Sequence, residues 1–102
     1  MHVSGFDWDS GNRFKNEAKH GLTCEVIEAF FHNEILVSPD PRHSHAEDRF
    51  LAIGKDQNKK AMIVAFTLRE KNGVQLIRPI SARYMHIKEI KKYAEAFTKN
   101  EK

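Results

Sequence analysis

One cysteine, three prolines and five glycines are all that this 102-residue chain has of the residues that staple, break or loosen a fold. With Cys24 alone, it can form neither an internal disulfide nor a cysteine-based zinc cluster, which suits a reducing compartment. No apolar run nears the roughly 20 residues that a membrane-crossing helix needs, and the N-terminus has no basic stretch leading into an apolar one. A cytoplasmic protein without membrane contact is therefore expected. No repeat, low-complexity tract or Gly/Ser/Pro linker divides the sequence, so one domain over 1–102 is expected, loose only at 99–102. With 40% apolar and 30% charged residues, it can bury one core and not two. Neither sign of charge dominates. Seventeen Lys and Arg against 14 Asp and Glu leave +3, a modest excess that suits a phosphate-bearing partner without establishing one.

What the chain does have is concentrated in the run His43-Ser44-His45-Ala46-Glu47-Asp48-Arg49, with Lys19-His20-Gly21 before it and Ser81-Ala82-Arg83 after it. Chemistry at a phosphodiester needs a proton acceptor, a proton donor and fixed cations for the charge that builds on the phosphoryl oxygens. His and Glu supply the first two. Arg supplies the third best, because guanidinium is planar, always protonated and able to grip two oxygens at once.

The periodicity predicts an α+β order of N-terminal strand, two helices, antiparallel strands and a C-terminal helix. Phe6 and Trp8 alternate with polar residues as a first strand would, Asp9 or Ser10 can cap a helix reaching His20, and Gly21 ends it. Thr23 can start a second helix, whose Val26, Ile27, Phe30 and Phe31 form one apolar stripe. After Ile35 to Val37, the segment Ser38-Pro39-Asp40-Pro41 must be irregular or extended. Phe50–Ile53 and Met62–Thr67 pair as antiparallel neighbours, and a last helix from about His86 to Phe97 should lay Ile87, Ile90, Ala94 and Phe97 on the sheet. Lys88, Lys91, Lys92 and Lys99 form its solvated side.

Asn72-Gly73 is the strongest two-residue hairpin signal in the chain, because both positions of a type I′ turn need positive φ. Closing the turn there sets Lys71 opposite Val74, Arg69 opposite Leu76 and Thr67 opposite Arg78. Regular alternation would then carry Ser81 and Arg83 to the face away from Arg69 and Arg78. One extra residue returns them. Pro79 sits where such a bulge or a strand end would fall, and a bulge near it is expected.

Taken together, Phe6-x-Trp8-Asp9, Asn16 with Lys19-His20-Gly21, His43-Ser44-x-x-Glu47-x-Arg49, Ile53-Gly54, Thr67-x-Arg69 and Ile80-Ser81-Ala82-Arg83 with Glu89 and Tyr93 resemble BrnT-type toxins over nearly the whole chain. The resemblance implies a small bacterial ribonuclease of a type II toxin-antitoxin system, with a RelE-like fold, that blocks translation by cutting RNA. It also implies a BrnA-like ribbon-helix-helix antitoxin, two toxins assembling with two antitoxins, and contact with operator DNA only through that partner. Two positions depart from the pattern: Asn12 where Lys is frequent, which would weaken a phosphate contact, and Pro79 where an apolar strand residue is usual.

For RNA cut without metal or cofactor, the nucleophile is the ribose 2′-hydroxyl. Glu47 is the expected base with His43 as rival, His20 the acid, and Arg49, Arg69 and Arg83 the phosphate grip, with Lys19 and Arg78 assisting. Bland roles compete with these. Glu47 and Arg49 could form a cross-strand ion pair, His20 could serve its helix C-terminus, Arg83 could be a surface cation, and Arg78 could solvate its strand. His43, His45 and Glu47 alternate, so an extended segment would also present a metal-ligating face, a weaker alternative without a fourth ligand. The competing class is a non-catalytic basic module that binds RNA or protein without cutting.

Overall fold

In the computed structural model, which describes residues 3–100 and side-chain surroundings through residue 95, the hairpin is the spine of the molecule. Strand β3 (Ala61–Lys71) turns through Asn72 and Gly73, at φ 53° and 79°, into β4 (Val74–Tyr84). Lys71 faces Val74, Arg69 faces Leu76 and Thr67 faces Arg78, as the turn chemistry predicts. On the other side of β3 lies β2 (Arg49–Lys55), and beyond it β1 (Ile35–Pro39), each antiparallel to its neighbour. The N-terminal segment contributes less than the strand expected of it. Phe6 makes a single parallel bridge to Ile77, flanked by hydrogen bonds from Ser4 N–H to Gln75 O and from Asp7 N–H to Ile77 O, so the sheet is mixed rather than wholly antiparallel.

Two helices pack on one face. Helix α1 (Lys15–His20) ends at Gly21, whose φ of 68° is open to glycine at no steric cost. Its start differs from the sequence expectation because Asp9 is occupied elsewhere: its carboxylate accepts from Gly11 N–H and from Arg78, and a turn precedes Lys15. Helix α2 (Cys24–Phe31) is capped by Thr23, whose hydroxyl accepts from Val26 N–H at 3.2 Å. Leu22, Ile27 and Phe30 press against Ala52, Met62, Val64, Phe66, Ile77 and Ala82, with Val26 and Phe31 partly buried beside them. The expected stripe is core. Helix α3 (Ile87–Asn100) departs from its expectation: Ile87 is 76% exposed and Ile90 40%, Ala94 is exposed too, and among the described residues Tyr93 is the one that α3 buries. The last position of the expected stripe, Phe97, and the tail at 101–102 lie outside the residues whose surroundings are described. No helix among the described residues is long and apolar enough to cross a membrane.

The bulge falls where Pro79 predicts it. Ala65 pairs with Ser81 and Phe66 with Pro79, so Ile80 is an extra residue in β4. Because side chains alternate along a strand, that insertion puts Arg83 and Ser81 on the same face as Arg78, Arg69 and Thr67. Arg49 and Leu51 join them from β2, opposite Thr67 and Ala65.

Candidate active site

On the face away from α1 and α2, a hollow of about 230 Å³ is lined by Asp40, His43, Arg49, Leu51, Ile63, Ala65, Ser81 and Arg83. Pro39 ends β1, and Pro41 opens a single 3₁₀ turn (Pro41–His43) that carries His43 to the rim. The turn is fastened to β2 by a short circuit of bonds. Asp40 N–H donates to Arg49 O at 2.8 Å, the Ser44 hydroxyl donates to Asp40 O at 2.8 Å, and Arg49 N–H donates to that hydroxyl at 2.9 Å. The Asp40 carboxylate, whose side chain is only 12% exposed, lies 2.9 Å from His43 Nδ1. An ionised carboxylate only accepts, so in the neutral ring it holds the proton on Nδ1 and leaves Nε2 as the acceptor.

Arg83 enters the hollow already oriented. Its guanidinium donates to both oxygens of Glu89 at 2.8 Å, and Glu89 also accepts from His86 N–H, capping the first turn of α3. The Arg83 contact, followed by the His86 N–H, holds the Glu89 carboxyl at about 2 against its ordinary 4.5, and the same pairing raises Arg83. A carboxyl lowered on folding contributes stability that is complete above 4.5 and drains away as pH falls through about 2. An NMR acid titration should give Glu89 a midpoint near 2, and Arg83→Ala should move it back toward 4.5. An ordinary midpoint in the intact protein would contradict the pairing. Arg49, by contrast, makes no side-chain ion pair among the described residues, which leaves its charge available to a ligand.

The other residues singled out by sequence are placed elsewhere. Glu47 forms a bidentate pair with Arg69, at 3.0 and 3.1 Å, beyond the lining of the hollow; its partner is therefore Arg69 and not Arg49. Arg78 is bound by both oxygens of Asp9 and lies 3.7 Å from Asp7, which also holds Lys71. Lys19 and His20 are exposed in the last turn of α1 and do not line the hollow. His43, His45 and Glu47 do not lie on an extended segment, since a 3₁₀ turn and bends span them, and no cluster of three metal-ligating side chains occurs among the described residues. Asn12 is no surface phosphate contact: it is 4% exposed and fully engaged with backbone.

Sequence reasoning missed Asp40 and, although it singled out the run Ser81-Ala82-Arg83, gave Ser81 no role of its own. The first had a signal in hindsight, an acid three residues before a histidine with prolines on either side, which a turn brings into contact. Two larger hollows, of about 610 and 750 Å³, are lined by Lys55 with Glu34 and Asp56 in one case and mainly by apolar residues in the other. Neither gathers cations.

A family model described as "Ribonuclease toxin, BrnT, of type II toxin-antitoxin system" matches residues 8–89, a span that contains every residue lining the hollow. The comparison with curated proteins gives no match.

Proposed function

The chain belongs to the BrnT family of type II toxin-antitoxin ribonuclease toxins, and from that premise we propose that it is an endoribonuclease working without a metal, through the RNA's own 2′-hydroxyl. The observation that carries this reading is one convergence: a carboxylate-oriented imidazole and two guanidinium groups around a single hollow. His43 Nε2 takes the proton of the 2′-hydroxyl as its oxygen bonds to phosphorus. The bond from phosphorus to the 5′-oxygen breaks, and the leaving oxygen takes a proton from solvent. The products are a 2′,3′-cyclic phosphate and a 5′-hydroxyl end. Arg49 and Arg83 face the phosphoryl oxygens, where fixed cations in a partly water-excluded site count most in the transition state. Leu51, Ile63 and Ala65 supply the apolar floor that lowers solvation around them.

Glu47 serves this site indirectly, by holding Arg69 on the same sheet face, and His43 replaces it as the preferred base. Lys19 and His20 on α1, and Arg78 held by Asp9, lie outside the hollow and take no part at the reacting phosphate in this reading. The protein antitoxin implied by the family would be of the BrnA-like ribbon-helix-helix kind, binding as two copies to two toxins and carrying the contact with operator DNA. The helix-backed sheet is compatible with a RelE-like architecture, and cleavage of RNA in the cytoplasm would inhibit translation.

The test uses a single-stranded RNA and its all-deoxy copy in the presence of a chelator. Cleavage confined to RNA, with cyclic phosphate ends, is expected. Equal binding of both strands with no cut in either supports the non-catalytic module instead, and activity that a chelator removes and one divalent ion restores would overturn the metal-free route.

A further inference from the structure

Arg83 reaches the hollow only because β4 carries an extra residue, and the outward-facing backbone groups on either side of that residue are met by side chains from the N-terminal segment. Asn12 Nδ2 donates to Pro79 O at 2.9 Å and to Asp7 O at 3.0 Å, while its Oδ1 accepts from Asp9 N–H at 2.8 Å. Asn16 Oδ1 accepts from Ala82 N–H at 3.0 Å. The two asparagines are 4% and 2% exposed, and their bonds fall on either side of Ile80. We infer that Asn12 and Asn16 are positioning residues that hold the β4 bulge in register and thereby keep Arg83 on the phosphate-binding face.

The physical reason is the cost of the alternative. β4 is the edge strand of the four-stranded ladder, so Pro79 O and, past the bulge, Ala82 N–H point to its outer side, where no further strand pairs with them. Left buried and unpaired, such groups forfeit their hydrogen bonds to water with nothing in return. A strand relieved of the bulge would restore regular pairing, but a slip of one residue would turn Arg83 to the core face, where Ala82 and Tyr84 now sit. The asparagines make the bulged register the one in which both backbone groups are satisfied. Asn12 therefore has a role that a lysine at the same place could not fill, since lysine has no acceptor to offer Asp9 N–H.

The two positions predict opposite responses to one chemical change. At position 12, Asn→Asp replaces the donor to Pro79 O and Asp7 O with an acceptor, and both contacts become repulsive. At position 16, Asn→Asp keeps the acceptor for Ala82 N–H and removes an Nδ2 that has no partner. Asn16→Leu removes the acceptor at similar size.

This inference rests on the proposal that the hollow binds an RNA phosphate, so the experiment has two arms. Single-turnover RNA cleavage is measured per folded molecule, with folding checked by circular dichroism at low temperature. Asn12→Asp and Asn16→Leu should lose roughly 10²- to 10³-fold, the typical effect of misplacing one preorganised donor, and Asn16→Asp should stay well above Asn16→Leu. Adding Asn12→Asp to Arg83→Ala should lower the rate no further, whereas a merely stabilising role would leave the two effects independent. The second arm needs no activity. It follows the NMR cross-peak between Arg83 and Ile63, which face each other across β3 and β4, and the hydrogen exchange of the Ala82 amide. Loss of the cross-peak in folded Asn12→Asp or Asn16→Leu supports the inference. Its survival with unchanged cleavage in both variants overturns it. A wild-type protein that cuts no RNA would defeat the ribonuclease proposal alone, leaving the positioning role to be decided by the cross-peak.

Discussion

His43→Ala should lower the single-turnover rate of RNA cleavage by roughly 10²- to 10⁴-fold while leaving RNA affinity nearly intact, because a general base acts in the transition state and the phosphate grip stays in place. The expectation comes from geometry. His43 is the one imidazole on the wall of the hollow, and its Nδ1 is 2.9 Å from a carboxylate that is itself anchored between β1 and β2. Asp40→Asn should lower the rate in the same direction, since an amide no longer fixes which ring nitrogen carries the proton. Glu47→Ala is the decisive companion. Glu47 is committed to Arg69 through two bonds, so its removal frees a cation but takes no base from the hollow. The loss should be smaller than for His43→Ala. If Glu47→Ala instead costs more, the base is Glu47 and the imidazole is a bystander. Arg49→Ala and Arg83→Ala would show a different split, weakening ground-state binding as well as the rate, because their charges meet phosphate before and during the reaction.

Much of this was legible in the sequence where local chemistry decides. Asn72-Gly73 determines a turn, the turn determines which residues face one another, and counting by twos from there puts Arg69 and Arg78 on one side. Pro79 then marks the one place where the count had to slip. Gly21 and Thr23 likewise act within a few residues of themselves. What could not be read has partners far along the chain. Asn12 and Asn16 look like ordinary polar residues of a helix start until β4, more than 60 positions later, presents a carbonyl and an amide to them. Glu47 has an acceptable partner two residues away in Arg49, and finds a better one at Arg69 because β2 and β3 bring the loop and the strand together. Asp9 suits a helix cap by type, yet its carboxylate is bound to Arg78, which lowers its pKa, and the helix begins later. The apolar stripe of α3 is real in period, but Ile87 and Ile90 remain largely exposed and Tyr93 makes the burial.

Phe66→Ala should destabilise the fold by about 3–5 kcal/mol, a large part of the 5–15 kcal/mol that holds a domain of this kind together. Phe66 is completely buried at the centre of β3, stacked on Phe50 with centroids 5.5 Å apart and met edge-on by Phe31 at 5.2 Å. Phe31 in turn touches Phe6 and Phe30, so one ring joins the N-terminal segment, α2 and the sheet. Truncation removes the transfer free energy of the ring and leaves a cavity that strands cannot easily close, because their spacing is fixed by the ladder. Urea unfolding followed by circular dichroism should show a much lower midpoint with little change in slope, and Phe66→Leu should recover part of it. A loss under about 1 kcal/mol would mean that the aromatic cluster is not the core. The consequence for the site follows from register: Phe66 faces Pro79 at the bulge, so the cavity opens directly beneath the backbone that delivers Arg83. Molecules of Phe66→Ala that remain folded at low temperature should therefore cut RNA more slowly than wild type, although the residue lies on the opposite face from the substrate.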